Sequence, residues 1–125
     1  MRKLADILLG FVALEHIWFL VLEMFLWTKP LGMETFDLTA EFAQQSASLA
    51  ANQGLYNGFL AAGLIWSLFR KEDAIAIKVF VLTCVVVAGV FGAFTAKASI
   101  LVVQGAPALA ALALVVLSRR KGLSG

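Results

Sequence analysis

Three ionisable side chains interrupt the first long apolar run of the sequence: Glu15, His16 and Glu23. On an α-helix these three residues fall within one sector of about 100°, so one side of the helix is polar. A carboxyl group and an imidazole that are shielded from water can donate and accept protons on a bound substrate. This helix face is therefore a candidate site for acid–base chemistry, with Glu15 and His16 as the catalytic candidates.

A second group of polar residues lies in the next apolar run and comprises Asn52, Gln53, Tyr56 and Asn57. On a helix they fall within about 140° of one another. The opposite side carries small residues that include Gly54 and Gly58, a spacing that permits two membrane helices to approach closely. Gln104, beside Pro107, adds one more polar group in the last apolar run. Hydrogen-bonding groups on one helix side predict a ligand-binding or helix-joining face.

The elements that must position these side chains are membrane-spanning helices. Hydrophobic residues make up 62% of the sequence and charged residues only 14%, which is far from soluble composition. The apolar runs are about 20 residues long, as a helix needs to cross the hydrocarbon core. We predict an all-α, antiparallel four-helix membrane bundle that forms a single domain over residues 1–125. The predicted spans are 4–27, 47–69, 74–94 and 98–117, with an outer segment at 28–46, in which Asp37 is expected to cap the following helix.

The orientation in the membrane follows from the positions of lysine and arginine. Seven of them lie at one set of predicted helix ends, namely Arg2, Lys3, Arg70, Lys71, Arg119, Arg120 and Lys121. Lys29 and Lys97 lie at the other set, and Lys78 is expected to extend its side chain towards the basic side. Because cytoplasmic loops are enriched in basic residues, both termini are predicted to be cytoplasmic in a bacterial inner membrane.

The predicted depths of the polar residues suggest one pocket that opens outwards. Near the midplane are Glu15, His16, Tyr56 and Asn57, and nearer the outer surface are Glu23, Asn52, Gln53 and Gln104. We expect Glu23 at the mouth of this pocket, where water would reach it. Alternatively, the amide side chains only join helices, since polar contacts between membrane helices contribute about 0.6 kcal/mol each.

The stretch Asn52–Gly63, which reads NQGLYNGFLAAG, resembles the signature of a family of small bacterial and fungal membrane proteins catalogued as domain of unknown function thirteen-oh-four. Two other parts of the sequence resemble the same family. They are His16 with Glu23-Met24-Phe25, and Gly92-Ala93-Phe94-Thr95 followed by Val103-Gln104-Gly105-x-Pro107. These parts extend over nearly the whole chain. The resemblance implies a compact four-helix membrane protein and implies no activity.

Three functions remain open at this stage. The first is binding of a hydrophobic small molecule or lipid, with isomerase-like acid–base chemistry as an extension. The second is a structural subunit or assembly factor whose polar face another protein or a second copy covers. The third is a small proton-coupled exporter, which the midplane position of Glu15 suggests. The sequence predicts no metal site, since Glu15 and His16 point about 100° apart on a helix and Glu23 is too distant to join both. It predicts no nucleic-acid partner, because the basic residues act as topology signals, and no cofactor.

Overall fold

The computed structural model describes residues 1–123, with side chains to residue 120, and these residues form helices and no strand. The helices are α1 (Arg2–Met24), α2 (Pro30–Phe36), α3 (Ala40–Phe69), α4 (Ala74–Thr95) and α5 (Ala106–Leu123), with a π-helical turn at Leu101–Gly105 directly before α5. The all-α prediction is confirmed for the described residues. The number of helices differs from the prediction, because residues 1–123 form five α-helices where four were expected.

Three stretches are long and apolar enough to cross a membrane: Arg2–Met24, Ala74–Thr95 and Leu101–Arg120. They correspond to the first, third and fourth predicted spans. The helix α3 is 30 residues long, or about 45 Å at 1.5 Å per residue, yet it is not among the three. Its amide side chains Asn52, Gln53 and Asn57 lower its hydropathy, so its passage through the membrane remains a prediction.

The segment between α1 and α3 contains a helix that the sequence analysis missed. Pro30 occupies the first turn of α2, where a missing N–H costs nothing. A Cβ atom on Gly32 would lie 1.9 Å from the carbonyl oxygen of Leu26. Only glycine fits this close contact, which folds α2 back onto the end of α1.

The start of α3 is capped by a different residue from the one predicted. Asp37 ends α2 in a left-handed conformation with φ 55° and ψ 51°, so the prediction that it caps α3 was wrong. The backbone N–H of Phe42 instead donates a hydrogen bond to Thr39 Oγ1 at 3.2 Å. A threonine side chain in this position satisfies one of the free N–H groups of the first helical turn.

The π-helical turn adapts the last span to Pro107. The N–H of Ala106 donates to the carbonyl oxygen of Leu101, a bond to the fifth preceding residue, and Pro107 has no N–H of its own. In this turn Gly105 packs against Gly89 of α4, where an added Cβ would lie 2.8 Å from the Gly105 Cα. The backbones of α4 and the π-helical turn therefore touch directly.

The described chain divides into two compact units. The first unit comprises residues 14–61 and the second comprises residues 1–13 and 62–125. Buried apolar side chains in the first unit include Leu22 and Ala43, and those in the second unit include Leu9, Leu64 and Leu82. Each unit therefore has apolar side chains shielded from its surroundings, and each is described by itself below.

Candidate functional site

The contact between Glu23 and Asn57 joins α1 and α3 inside the first unit. The amide Nδ2 of Asn57 donates a hydrogen bond to Glu23 Oε1 at 3.0 Å. Both side chains are buried, with Glu23 8% and Asn57 6% exposed. The sequence analysis predicted that carboxyl and amide groups of these two helices would converge, and this pair does. It also placed Glu23 at a water-exposed pocket mouth, which is wrong because the residue is buried.

Small residues on α3 bring this pair together. A Cβ atom on Gly54 would lie 2.7 Å from Met24 Cγ, 3.0 Å from Glu23 Cβ and 3.3 Å from the Leu20 carbonyl oxygen. A Cβ on Gly58 would lie 2.6 Å from Leu20 Cδ1. The glycine side of α3 therefore faces α1, and Asn57 lies at the edge of that side rather than opposite it.

Two carboxyl oxygen atoms are buried and have no hydrogen-bond partner among the described residues. These atoms are Glu23 Oε2 and Glu15 Oε1. Leaving a buried polar group unsatisfied costs about 1–3 kcal/mol, so such atoms usually have a specific reason to persist. In Glu23 the arrangement is asymmetric, since Asn57 fixes one oxygen and leaves the other available to accept a hydrogen bond. That is a suitable geometry for recognising a donor on a ligand.

His16, on the polar side of α1, is fully buried, with 0% of its surface exposed. Its ring packs edge-to-face against Phe19, with ring centroids 5.4 Å apart and planes at 72°. This packing fixes the orientation of the imidazole. His16 therefore belongs to the interior of the first unit, together with Glu23 and Asn57.

Three of the predicted ligand-binding residues lie on the surface of α3. Asn52 and Gln53 are exposed, and Tyr56 is 55% exposed with its ring against Phe59 at 5.8 Å between centroids. The Glu23–Asn57 pair does not include them. Their side chains are instead available to solvent, lipid headgroups or a partner.

Gln104 lies in the π-helical turn of the second unit, next to the Gly105–Gly89 contact, and it is partly buried. No three His, Cys, Asp or Glu side chains among the described residues lie close enough together to hold a metal ion.

Sequence analysis missed a partly buried ion pair, which lies in the second unit. Lys78 Nζ donates to Asp6 Oδ1 at 2.6 Å, and the Lys78 side chain is only 13% exposed. Lys78 was expected only to extend towards the basic side. The positions of Asp6 and Lys78 could have predicted this pair. Each lies in the first turns of an apolar helix, where an unpaired charge is costly.

Comparison with known proteins places these residues in a family. The sequence profile of the family described as "Protein of unknown function (DUF1304)" matches residues 10–116. The chain belongs to this family. This DUF1304 protein is also 31% identical over 114 residues to the uncharacterized protein YpaA of Lactococcus lactis subsp. lactis (strain IL1403). That similarity covers 90% of the chain and 96% of the relative. No solved structure matches the chain.

Proposed function

We propose that this DUF1304 protein crosses a bacterial cell membrane four times, with both termini in the cytoplasm. Three helices have the length and composition of membrane spans, and α3 is long enough to be the fourth. The basic residues support the orientation, because Arg2 and Lys71 line one groove of the second unit together with Ser118, which directly precedes Arg119 and Arg120 in the sequence. The start of α1, the loop before α4 and the end of α5 thus meet where the basic residues are concentrated.

Within this membrane protein, we propose that a polar cluster of the first unit binds a small hydrophobic ligand that carries a hydrogen-bond donor. The cluster consists of Glu15, His16, Glu23 and Asn57. The single observation that carries this proposal is the buried Glu23 carboxyl group, with Oε1 held by Asn57 and Oε2 without a partner among the described residues. A hydroxyl or amine of the ligand would donate to Oε2. The ligand would enter from the outer half of the bilayer.

The roles of the neighbouring groups follow from their contacts. Asn57 orients the Glu23 carboxyl group, and the close helix approach at Gly54 keeps Asn57 in reach. Glu15 has one buried oxygen without a partner among the described residues, and it offers a second acceptor. His16 follows Glu15 in the sequence and is buried. The cluster therefore contains carboxyl groups and an imidazole, which are the groups that isomerase-like proton transfer requires.

The test is a ligand screen on the purified protein in detergent, read as a shift in melting temperature. The two members of a pair of amphiphiles that differ only by a hydroxyl or amine should shift the melting temperature by different amounts. Only the donor-bearing member contacts Glu23, and a bound ligand stabilises the folded state. Glu23→Gln should abolish that difference, while Glu34→Gln, an exposed residue of α2, should preserve it. Equal shifts for both members of every pair in the parent protein would contradict the proposal.

A second candidate function is that of a subunit in a membrane complex. The observation that favours it is the exposed polar surface of α3, formed by Asn52, Gln53 and Tyr56. Polar side chains in a membrane helix usually face protein or water rather than lipid. Cross-linking through a photoreactive residue at position 53 in native membranes tests this function. A discrete adduct with another membrane protein would support it, and labelling of lipid alone would contradict it.

A further inference from the structure

A groove of about 350 Å³ lies on the surface of the second unit. The start of α1, the loop before α4, the first turns of α4 and the end of α5 all contribute to it. Its polar lining consists of Arg2, Asp6, Lys71, Lys78 and Ser118, and alanine and larger aliphatic side chains form the remainder. The groove thus combines a charged rim with an apolar floor.

The charges of this groove are not balanced within the described chain. Asp6 is paired with Lys78 at 2.6 Å, so these two groups neutralise each other. Arg2 and Lys71 are exposed and form no ion pair with any described carboxylate. The groove therefore carries an excess of two positive charges. The nearby carboxylate Asp73 does not offset them, because it is bonded to Arg70.

The apolar floor distinguishes this groove from an ordinary solvated basic loop. Ala5 and Ala74 are buried, at 2% and 9% exposure, and their small side chains leave room between α1 and α4. Lys78 lies one turn inside α4, is mostly buried and is paired with Asp6, so the uncompensated charge of the groove lies at its rim, on Arg2 and Lys71. A ligand that fits would carry an anionic group beside a hydrocarbon part.

We propose that this groove binds the phosphate group of an anionic phospholipid in the cytoplasmic leaflet. The proposal rests on the cytoplasmic orientation proposed above and is independent of ligand binding at Glu23. Arg2 and Lys71 contact the phosphate oxygens, Lys78 stays paired with Asp6 beneath them, and the acyl chains lie along the apolar surface. Basic pockets between membrane helices on the cytoplasmic side are suited to anionic headgroups.

The test measures binding of phosphatidylglycerol and phosphatidylcholine to the purified protein in mixed micelles. The parent protein should bind phosphatidylglycerol at least about tenfold more tightly. The double variant Arg2→Gln/Lys71→Gln should lose about 30-fold in phosphatidylglycerol affinity, since each basic residue near an anionic surface is worth about fivefold. The double variant Lys29→Gln/Lys97→Gln removes the same charge from outside the groove and should bind like the parent.

Two further variants separate a lost site from a damaged protein. Lys71→Arg keeps the charge and should retain phosphatidylglycerol binding, whereas a misfolded double variant would also lose its cooperative melting transition. Glu23→Gln should bind phosphatidylglycerol as the parent does. Failure of the phospholipid proposal can therefore be distinguished from failure of the proposal that Glu23 binds a ligand. Equal affinity of the parent for both lipids, or unchanged binding by Arg2→Gln/Lys71→Gln, would overturn the proposal.

Competition with inorganic phosphate shows whether the groove recognises a lipid headgroup or a soluble phosphate-bearing molecule. If the groove recognises a lipid, millimolar phosphate should displace phosphatidylglycerol only weakly, because it gains nothing from the apolar floor. The lipid assignment would be overturned if inorganic phosphate bound the parent as tightly as phosphatidylglycerol does and if the same double variant lost this binding. The groove would then be a site for a soluble phosphate-bearing molecule.

Discussion

The close approach of α1 and α3 can be tested with alanine at two neighbouring glycines. In Gly54→Ala the new Cβ meets Glu23 Cβ at 3.0 Å and the Leu20 carbonyl oxygen at 3.3 Å. These atoms belong to the backbone or are attached directly to it. Ordinary carbon contacts lie at about 3.5–4.0 Å, so the helices must separate locally by about 0.5–1 Å. In Gly58→Ala the Cβ meets only Leu20 Cδ1, the end of a flexible side chain.

The two substitutions should therefore differ in stability. Overpacking costs about 1–3 kcal/mol, and replacing glycine by alanine within a helix returns about 1 kcal/mol. We expect Gly54→Ala to lose about 1–2 kcal/mol of unfolding free energy, because separation also stretches the 3.0 Å Asn57–Glu23 bond beyond hydrogen-bonding range. Gly58→Ala should be neutral or slightly stabilising, because Leu20 can change its rotamer.

Circular dichroism at 222 nm, followed during denaturation in detergent, measures both variants against the parent. The helix propensity change is the same at the two positions, so the difference between the variants reports the contact with α1. If Gly54→Ala and Gly58→Ala unfold alike, or if Gly58→Ala is the less stable, then the placement of α1 against α3 at Gly54 is incorrect.

Three other predictions concern the second unit and the orientation. Gly89→Ala should destabilise the protein by about 1–3 kcal/mol in the same denaturation assay, because its Cβ would meet the Gly105 backbone at 2.8 Å. The hydrogen bond from Arg70 lowers the pKa of Asp73, so any stabilisation by this pair is complete above the ordinary carboxyl pKa and is lost as pH falls through the lowered value. The difference in melting temperature between the parent and Asp73→Asn should therefore be the same throughout pH 5–8. Reporter fusions after Arg70 should be cytoplasmic and those after Thr35 external, whereas mixed locations would favour the exporter alternative.

The apolar helices were predictable because hydrophobic length alone determines them. The spans predicted at 74–94 and 98–117 agree closely with α4 and with the stretch Leu101–Arg120. The π-helical turn before Pro107 was not predicted. A proline indicates that a backbone bond is lost, but the rearrangement that compensates depends on the neighbouring helix, here on the contact of Gly105 with Gly89.

The outer segment was harder to predict because its local signals compete. Pro30 can end one helix or begin the next, and the backbone contact at Gly32 decides for the latter. Asp37 and Thr39 are both good capping residues. Tertiary structure places Asp37 in the left-handed conformation at the end of α2 and leaves Thr39 to cap α3.

The candidate site was predictable as a set of polar groups but not as a geometry. Helical periodicity places Glu23 on a polar side of α1, and the expectation of partners on α3 is met by Asn57. Periodicity does not determine which side of α3 faces α1. The glycines decide this, and they leave Asn52, Gln53 and Tyr56 exposed.

We propose that the Glu23 carboxyl group recognises a ligand inside the membrane. Native mass spectrometry of the protein, extracted gently from its own membranes, would detect this ligand. We predict a discrete bound mass of a small donor-bearing hydrophobic molecule in the parent and in Glu34→Gln. The same mass should be absent from Glu23→Gln and reduced in Asn57→Ala, while all three variants retain their helical circular dichroism spectrum. A bound mass that persists unchanged in folded Glu23→Gln would contradict the claim.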